Sequence, residues 1–212
     1  MNQKERMLAG LPYKAWLDGL AEERLACKQK LYEFNMLPPS EAEQVPARLK
    51  DILGKTGESL WIEAPFHCDY GWNIEVGNNF FANYNLVILD VGKVTVGDNV
   101  MCAPNVSIYT AGHPLHSEMR NTGYEYGIPI TIGDNVWLGG NAVIMPGVHI
   151  GSNVVIGAGS VVVKDIPDNV IAVGNPCKVI REITEEDKKY YFKNRLFDEE
   201  SLADIKNYGF SF

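Results

Sequence analysis

At 212 residues the chain has room for one main domain with small additions, and a composition 46% hydrophobic and 22% charged is that of a globular protein. A net charge of −8 argues against nucleic acid as a routine partner, and no stretch approaches the roughly 18 consecutive apolar residues of a membrane span. Cys27, Cys68, Cys102 and Cys177 lie far apart with no CxxC pair, and the N-terminal MNQKERMLAG lacks the apolar run of a signal peptide. The expectation is a soluble cytoplasmic protein in a reducing compartment.

Residues 1–56 carry helical punctuation. Lys4 to Ala9 can make one or two turns before Gly10 and Pro12 interrupt. From Leu17 to Leu37, an apolar stripe of Leu20, Leu25, Leu31 and Phe34 opposes Glu22, Glu23, Arg24, Lys28 and Lys30, and Pro38-Pro39 ends the segment. Ser40 with Glu43 reads as a capping box opening a second helix that runs to Leu53 and stops at Gly54. Two short helices bury too little surface alone, so they are expected to pack on a larger body.

From about Leu60 to 180 a six-residue rhythm takes over. Aliphatic residues recur at Val76, Ala82 and Ile88, then, after two extra residues near Asp90–Lys93, at Val96, Cys102 and Ile108. They recur most clearly at Ile132, Leu138, Ile144, Ile150, Ile156 and Val162, each with a small or apolar residue two places earlier. A period of six fits neither a helix nor a long strand. It fits very short strands joined by corners, where Gly, Asn and Asp supply positive φ. This is the signature of a parallel β-helix; an ordinary β-sandwich rich in Val and Gly would not hold the phase. Residues 110–129, TAGHPLHSEMRNTGYEYGIP, break the rhythm as an insertion, and long loops inside such a solenoid are usually functional. Beyond Val163, a turn falls at Gly174-Asn175-Pro176 and Thr184 with Asp187 opens a helix to Asn194. The tail through Phe212 is expected to form another, and a helix capping the last coil would cover its strand edges. The division is therefore a helical segment at 1–56, a β-helix at 57–180 and a helical tail at 181–212.

Alternation sends one residue of each step outwards: Phe81, Met101, Thr131, Trp137, Val143, His149, Val155 and Val161. An exposed Trp, Met and several Val suggest a subunit interface or ligand wall, and coils of three steps make a three-sided prism that can pack around a threefold axis. Of the four histidines, His149 lies within a repeat without an obvious partner, and His67 lies near an early coil. His113 and His116 lie in the insertion. A proton acceptor near neutral pH is most simply a histidine, which makes His113 in TAGHP the candidate base; an ordinary surface-loop histidine is the competing reading.

The chain resembles the maltose/galactoside O-acetyltransferase family of hexapeptide-repeat enzymes. The matching pieces are AGxxY at Ala9–Tyr13, YEFN at Tyr32–Asn35, CDYGxNIxxGNNFFANYN at Cys68–Asn85 and APNVxIYTAGHP at Ala103–Pro114. PITIGDNVWLGGNAVIMPGVxIG at Pro129–Gly151, VIGAGSVVVKDIP at Val155–Pro167 and GNPCKVIR at Gly174–Arg181 complete the match. The resemblance implies a left-handed β-helix, a homotrimer, and acetyl-CoA in the groove between neighbouring subunits, with no metal. It implies His113 as general base towards a sugar hydroxyl, typically the 6-OH, and the backbone N–H of Gly140 as oxyanion donor. Asn83 and Arg24 match acceptor contacts, Asp69 stands where the galactoside branch carries Ser, and Glu125 resembles the maltose-type branch. Ala15 falls where the galactoside branch has a sugar-binding Asp, which Asp18 could replace. Trp137, Gly140, Ala158, Val163 and Lys164 match the acetyl-CoA groove, and Lys178 and Arg181 match a basic pair near the CoA phosphates. Related xenobiotic acetyltransferases share the coils and the loop histidine but lack the N-terminal helical segment. The γ-type carbonic anhydrases share the coils but hold zinc by histidines in a different pattern, and a non-enzymatic scaffold would not require His113 in TAGHP.

Overall fold

A computed structural model of the chain describes residues 1–208. Three helices open it: α1 (Gln3–Leu8), α2 (Leu20–Asn35) and α3 (Val45–Ile52). The buried stripe of α2 is Leu20, Cys27, Leu31 and Phe34, whereas Leu25 is 69% exposed. Five residues beyond Leu20, Leu25 has turned about 140° away from that stripe, and Cys27 takes the expected place. The capping box at Ser40 does not form. Pro39–Gln44 is a 3-10 turn, and the helix starts only at Val45. Pro46 explains the delay: with no N–H to donate, it is tolerated in a first turn and would break the interior of a helix begun at Ser40.

The coils then stack into a prism of three faces, each a sheet of parallel strands. The first face carries Leu60–Ile62, Phe80–Ala82, Met101–Cys102, Trp137–Leu138, Val155–Ile156 and Val170–Val173. The second carries Phe66–Cys68, Leu86–Leu89, Ser107–Tyr109, Val143–Ile144 and Val161–Val162; the third carries Ile74–Val76, Val94–Val96, Ile130–Ile132 and His149–Ile150. Partners such as Val94 over Ile74 and Ile130 over Val94 stay in phase, so each aliphatic lies on its equivalent in the next coil. Cys102 points inwards and is buried, as its phase requires. One continuous core includes α2, α3 and the coils, and the helical pair closes the prism at its N-terminal end.

Side chains fix the corners. A ladder of backbone N–H donors runs from Asn78 to Asp98 Oδ1 (2.6 Å), Asp98 to Asp134 Oδ1 (2.8 Å), Asp134 to Ser152 Oγ (3.0 Å) and Ser152 to Asp168 Oδ1 (2.7 Å). The sequence separations are 20, 36, 18 and 16, so one coil consumes 16 to 20 residues and the step of 36 contains the insertion. Beside the ladder, Asn79, Asn99 and Asn135 adopt positive φ, which asparagine tolerates better than most residues, and their amides bond to one another.

The C-terminal end departs from expectation. Lys178–Glu182 turns back and pairs antiparallel with Val170–Val173, so a strand covers this edge of the last coil. The Thr184–Asp187 capping box forms, but it starts only the 3-10 turn Glu185–Lys189. Tyr190–Phe192 and Arg195–Leu196 follow as a small hairpin, because the β-prone Tyr-Tyr-Phe run and positive φ at Lys193 end the helix before Asn194. The tail does form a helix, Glu199–Asn207, but it buries none of its residues and leaves the last coil to the strand; the expected continuation to Phe212 lies outside the described residues. Among the described residues, no helix is long and apolar enough to cross a membrane.

Candidate active site

The insertion leaves the prism at the corner between the second and third faces. It is not structureless: Ala111–Gly112 and Tyr126–Gly127 form an antiparallel hairpin with a helical turn, α4 (Ser117–Arg120), near its tip. Buried Thr110 anchors its base, donating from Oγ1 to the carbonyl of Leu89 (2.5 Å) and accepting from the N–H of Gly92 (2.7 Å). The N-terminal segment holds its far strand. Tyr13 and Glu125 exchange two backbone hydrogen bonds of 2.9 and 3.0 Å, and the Tyr13 hydroxyl donates to Glu125 Oε1 at 2.5 Å. Burial and the neighbouring Glu125 push the Tyr13 hydroxyl far above its ordinary range, so it remains a donor at any working pH.

Glu125 turns its other oxygen to His113, with Oε2 4.0 Å from Nε2. The His113 side chain is 54% exposed against 19% for Glu125, so the imidazole faces solvent with a carboxylate behind it. Asp69 completes the group: burial raises its carboxyl, the Arg24 guanidinium lowers it, Glu125 raises it and Lys28 lowers it. Arg24 is itself fixed, donating from Nη1 to the carbonyl of Ala15 (2.8 Å) and to the Tyr70 hydroxyl (2.9 Å). The structure thus brings His113, Glu125, Asp69 and Arg24 to one edge of the prism.

Other candidates gather elsewhere. Asn83, Gly140 and Ala158 line the corner between the first and second faces, with exposed Trp137 on the first face beside them. Consecutive coils are hydrogen-bonded there, Gly159 N–H to Gly140 O at 2.8 Å and Asn141 N–H to Pro104 O at 3.0 Å. Val163 and Lys164 follow the last strand of the second face, and Lys178 and Arg181 lie on the antiparallel strand added to the first. Within one chain, the corner carrying Gly140 is not the corner carrying His113.

Residues 6–57 match the family described as maltose acetyltransferase hexapeptide capping motif, and residues 129–164 match six bacterial transferase hexapeptide repeats. The galactoside O-acetyltransferase of Escherichia coli (strain K12) is 52% identical over 194 residues, which cover 92% of this chain and 96% of that one. The chain belongs to the maltose/galactoside O-acetyltransferase family. A solved galactoside acetyltransferase in complex with coenzyme A superposes with a TM-score of 0.91 at 51% identity, covering 94% of this chain and 100% of that one. A maltose O-acetyltransferase from Clostridium difficile 630 gives a TM-score of 0.86 at 54% identity, covering 87% and 99%.

In this O-acetyltransferase, Asp18, which could stand in for an aspartate at Ala15, is tied to the N-terminal helix. Its Oδ2 accepts from the N–H of Gln3 (2.7 Å) at the start of α1, and the Ala15 position contributes a carbonyl to Arg24 instead. Arg181 already has a partner, a two-pronged ion pair with Asp187 at 2.7 and 2.8 Å that holds the Asp187 carboxyl down at about 2. Sequence reasoning missed Tyr13, Tyr70 and Asp90. Buried Asp90 accepts the backbone N–H groups of Asp69 (2.8 Å) and Tyr70 (3.0 Å) on Oδ1, so it shapes the turn that carries both. Its only signal was its place in the two-residue excess before Val94. Among the described residues, no three His, Cys, Asp or Glu side chains are grouped to hold a metal ion.

Proposed function

We propose that this protein transfers the acetyl group of acetyl-CoA to a hydroxyl of a sugar, the primary 6-OH, with His113 as general base. The observation that carries the reading is the half-exposed His113 imidazole on an insertion pinned by Tyr13, beside Glu125, Asp69 and Arg24. A sugar hydroxyl is far too weak an acid to ionise beforehand, so its proton passes to the imidazole as the oxygen attacks the thioester carbonyl. The new C–O bond forms, the C–S bond breaks, and the proton leaves with the coenzyme A thiol. Negative charge developing on the carbonyl oxygen needs a fixed donor, the N–H of Gly140. No acyl-enzyme is required when both substrates are held together.

Because His113 and Gly140 occupy different corners of one chain, the reaction draws them from neighbouring copies, and a homotrimer whose prisms pack around a shared threefold axis supplies three equivalent sites. The first face, with Trp137 exposed, and the adjoining Ala158, Val163 and Lys164 then form the acetyl-CoA wall, with Lys178 and Arg181 towards the phosphates. Arg24, Asp69 and Glu125 hold the sugar, with Asn83 contributed by the next copy. The free thiols suit a cytoplasmic setting. His113→Ala is expected to remain folded and trimeric while acetyl transfer, read as thiol release from acetyl-CoA with glucose, maltose and galactosides, falls at least ~10²-fold. Turnover within a few fold of the parent would refute His113 as the base.

A further inference from the structure

A cavity of about 380 Å³ opens beside the His113 group, between α2 and the second face of the prism. Lys28, Tyr32 and Met36 line it from the helix, and His67, Asp69 and Leu89 line it from the coils. The volume lies within the range of small-molecule sites. Three features say what would enter it.

The first is continuity. Asp69 belongs both to the cavity wall and to the group around His113, and its carboxyl feels Arg24 and Lys28 together. Arg24, Lys28 and Tyr32 follow one another at intervals of four on α2, a spacing that keeps side chains on one side of a helix. The stripe that delivers Arg24 to the acceptor side therefore continues into this cavity.

The second is the lining. Tyr32 and Met36 are 62% and 64% exposed, which leaves an aromatic face and a thioether unpartnered beside Leu89. His67 is the outward residue of its strand, and its ring adds a hydrogen-bonding edge close to Asp69. An aromatic wall with a polar rim matches a pyranose, whose C–H face is apolar and whose hydroxyls lie at the edge. The rim carries Asp69 and Lys28 of opposite sign, and the chain as a whole carries −8, so a neutral polyhydroxyl suits it better than an anion.

The third is rigidity. Asn35 clasps the strand opposite, donating from Nδ2 to the Phe66 carbonyl (2.9 Å) and accepting the Phe66 N–H on Oδ1 (2.8 Å). Beneath the floor, Cys27 and Cys68 touch at 3.7 Å between sulfurs. The two walls are tied together before any ligand arrives, which lowers the cost of binding.

We propose that this cavity is an acceptor extension subsite, which holds a second pyranose joined glycosidically to the sugar that is acetylated. The proposal rests on the sugar-acceptor reading above. The test is steady-state kinetics with saturating acetyl-CoA, glucose and maltose as paired acceptors, in the parent protein, Tyr32→Ala, Tyr32→Phe and His67→Ala. The parent is expected to show a lower KM for maltose than for glucose. Tyr32→Ala should raise the maltose KM about five- to tenfold, leaving glucose kcat and KM unchanged. Tyr32→Phe, which keeps the ring, should restore the maltose value, and His67→Ala should raise the maltose KM alone. Equal KM values in the parent, or a Tyr32→Ala effect that is absent or the same for both sugars, would overturn the subsite while acetylation of glucose continued. A parent protein that acetylates neither sugar overturns the sugar reading and the subsite together.

Discussion

Asp90→Asn separates the electrostatics of the site's foundation from its packing. Asp90 is fully buried; its Oδ1 takes two backbone N–H groups, and its Oδ2 has no partner among the described residues. Burial lifts its pKa from 3.8 to about 6, against the lowering effect of those two N–H groups and with a further rise from the charge of Asp69. The folded pKa lies above the unfolded one, so the stability Asp90 contributes is fully present below 3.8 and is lost as pH rises through about 6. The loss across that window is about 3 kcal/mol. The asparagine variant keeps an oxygen for the two N–H groups and does not titrate. Its two new N–H donors add a cost, but one independent of pH. The difference in stability between variant and parent should therefore move by about 3 kcal/mol in favour of the variant between pH 3 and pH 8. In a chain of this length, that corresponds to roughly 6–12 °C in the difference between their Tm values. Thermal melts of both proteins across that range measure it directly, because other titrating groups cancel in the difference. A difference in Tm that stays constant with pH would refute a buried, titrating Asp90.

Two further substitutions probe the scaffold. Tyr13→Phe removes a hydrogen bond to a carboxylate and leaves Glu125 Oε1 without that donor; a loss of about 1.5–3 kcal/mol in denaturant unfolding is expected, and a loss under ~0.5 kcal/mol would show that the contact is replaced by water. Gly97→Ala places a Cβ 2.2 Å from Asp134 Oδ1 and 2.8 Å from the Gly133 carbonyl carbon, both fixed parts of the corner ladder, so it should cost about 1–3 kcal/mol, and an unchanged melting curve would contradict the close stacking of those coils.

The coils could be read from the sequence because a β-helix has a local grammar: each six-residue step repeats one inward pair and one turn, and stacking copies the result. Val94, Ile130 and Cys102 needed only their phase to be placed. The ends follow no such rule. The start of α3 depended on Pro46 rather than on the more conspicuous Ser40 and Glu43, and the last coil was closed by Lys178–Glu182 pairing backwards, a long-range contact invisible to periodicity. His113 was conspicuous because it interrupts the period. Tyr13 was not, because its partner Glu125 is 112 residues away and only the folded chain joins them.

The period also explains where chemistry is possible. A coil that obeys it presents short strands and tight corners, with its aliphatic side chains turned inwards and little room for a polar pocket. The chain adds residues to the regular step at three places: residues 69–73, residues 90–93 and the insertion at 110–129, all at the corner between the second and third faces. They contact one another. Asn73 Nδ2 donates to the Asp90 carbonyl (2.8 Å), and Asp90 holds the N–H groups of Asp69 and Tyr70. Gly92 lies so close to Gly127 and Ile128 that a Cβ on it would fall 3.0–3.1 Å from their backbone. On top of this stack the N-terminal segment buries Met7, Tyr13, Ala15 and Leu20 against Tyr70 and Val91, a second core separate from that of the prism. The irregular residues thus share one edge because each supports the next: two lengthened corners make the platform, the insertion rests on it, and the N-terminal segment locks it with Tyr13 and Arg24. Removing the N-terminal segment would therefore expose the platform and release Glu125, even though neither His113 nor any coil had been altered.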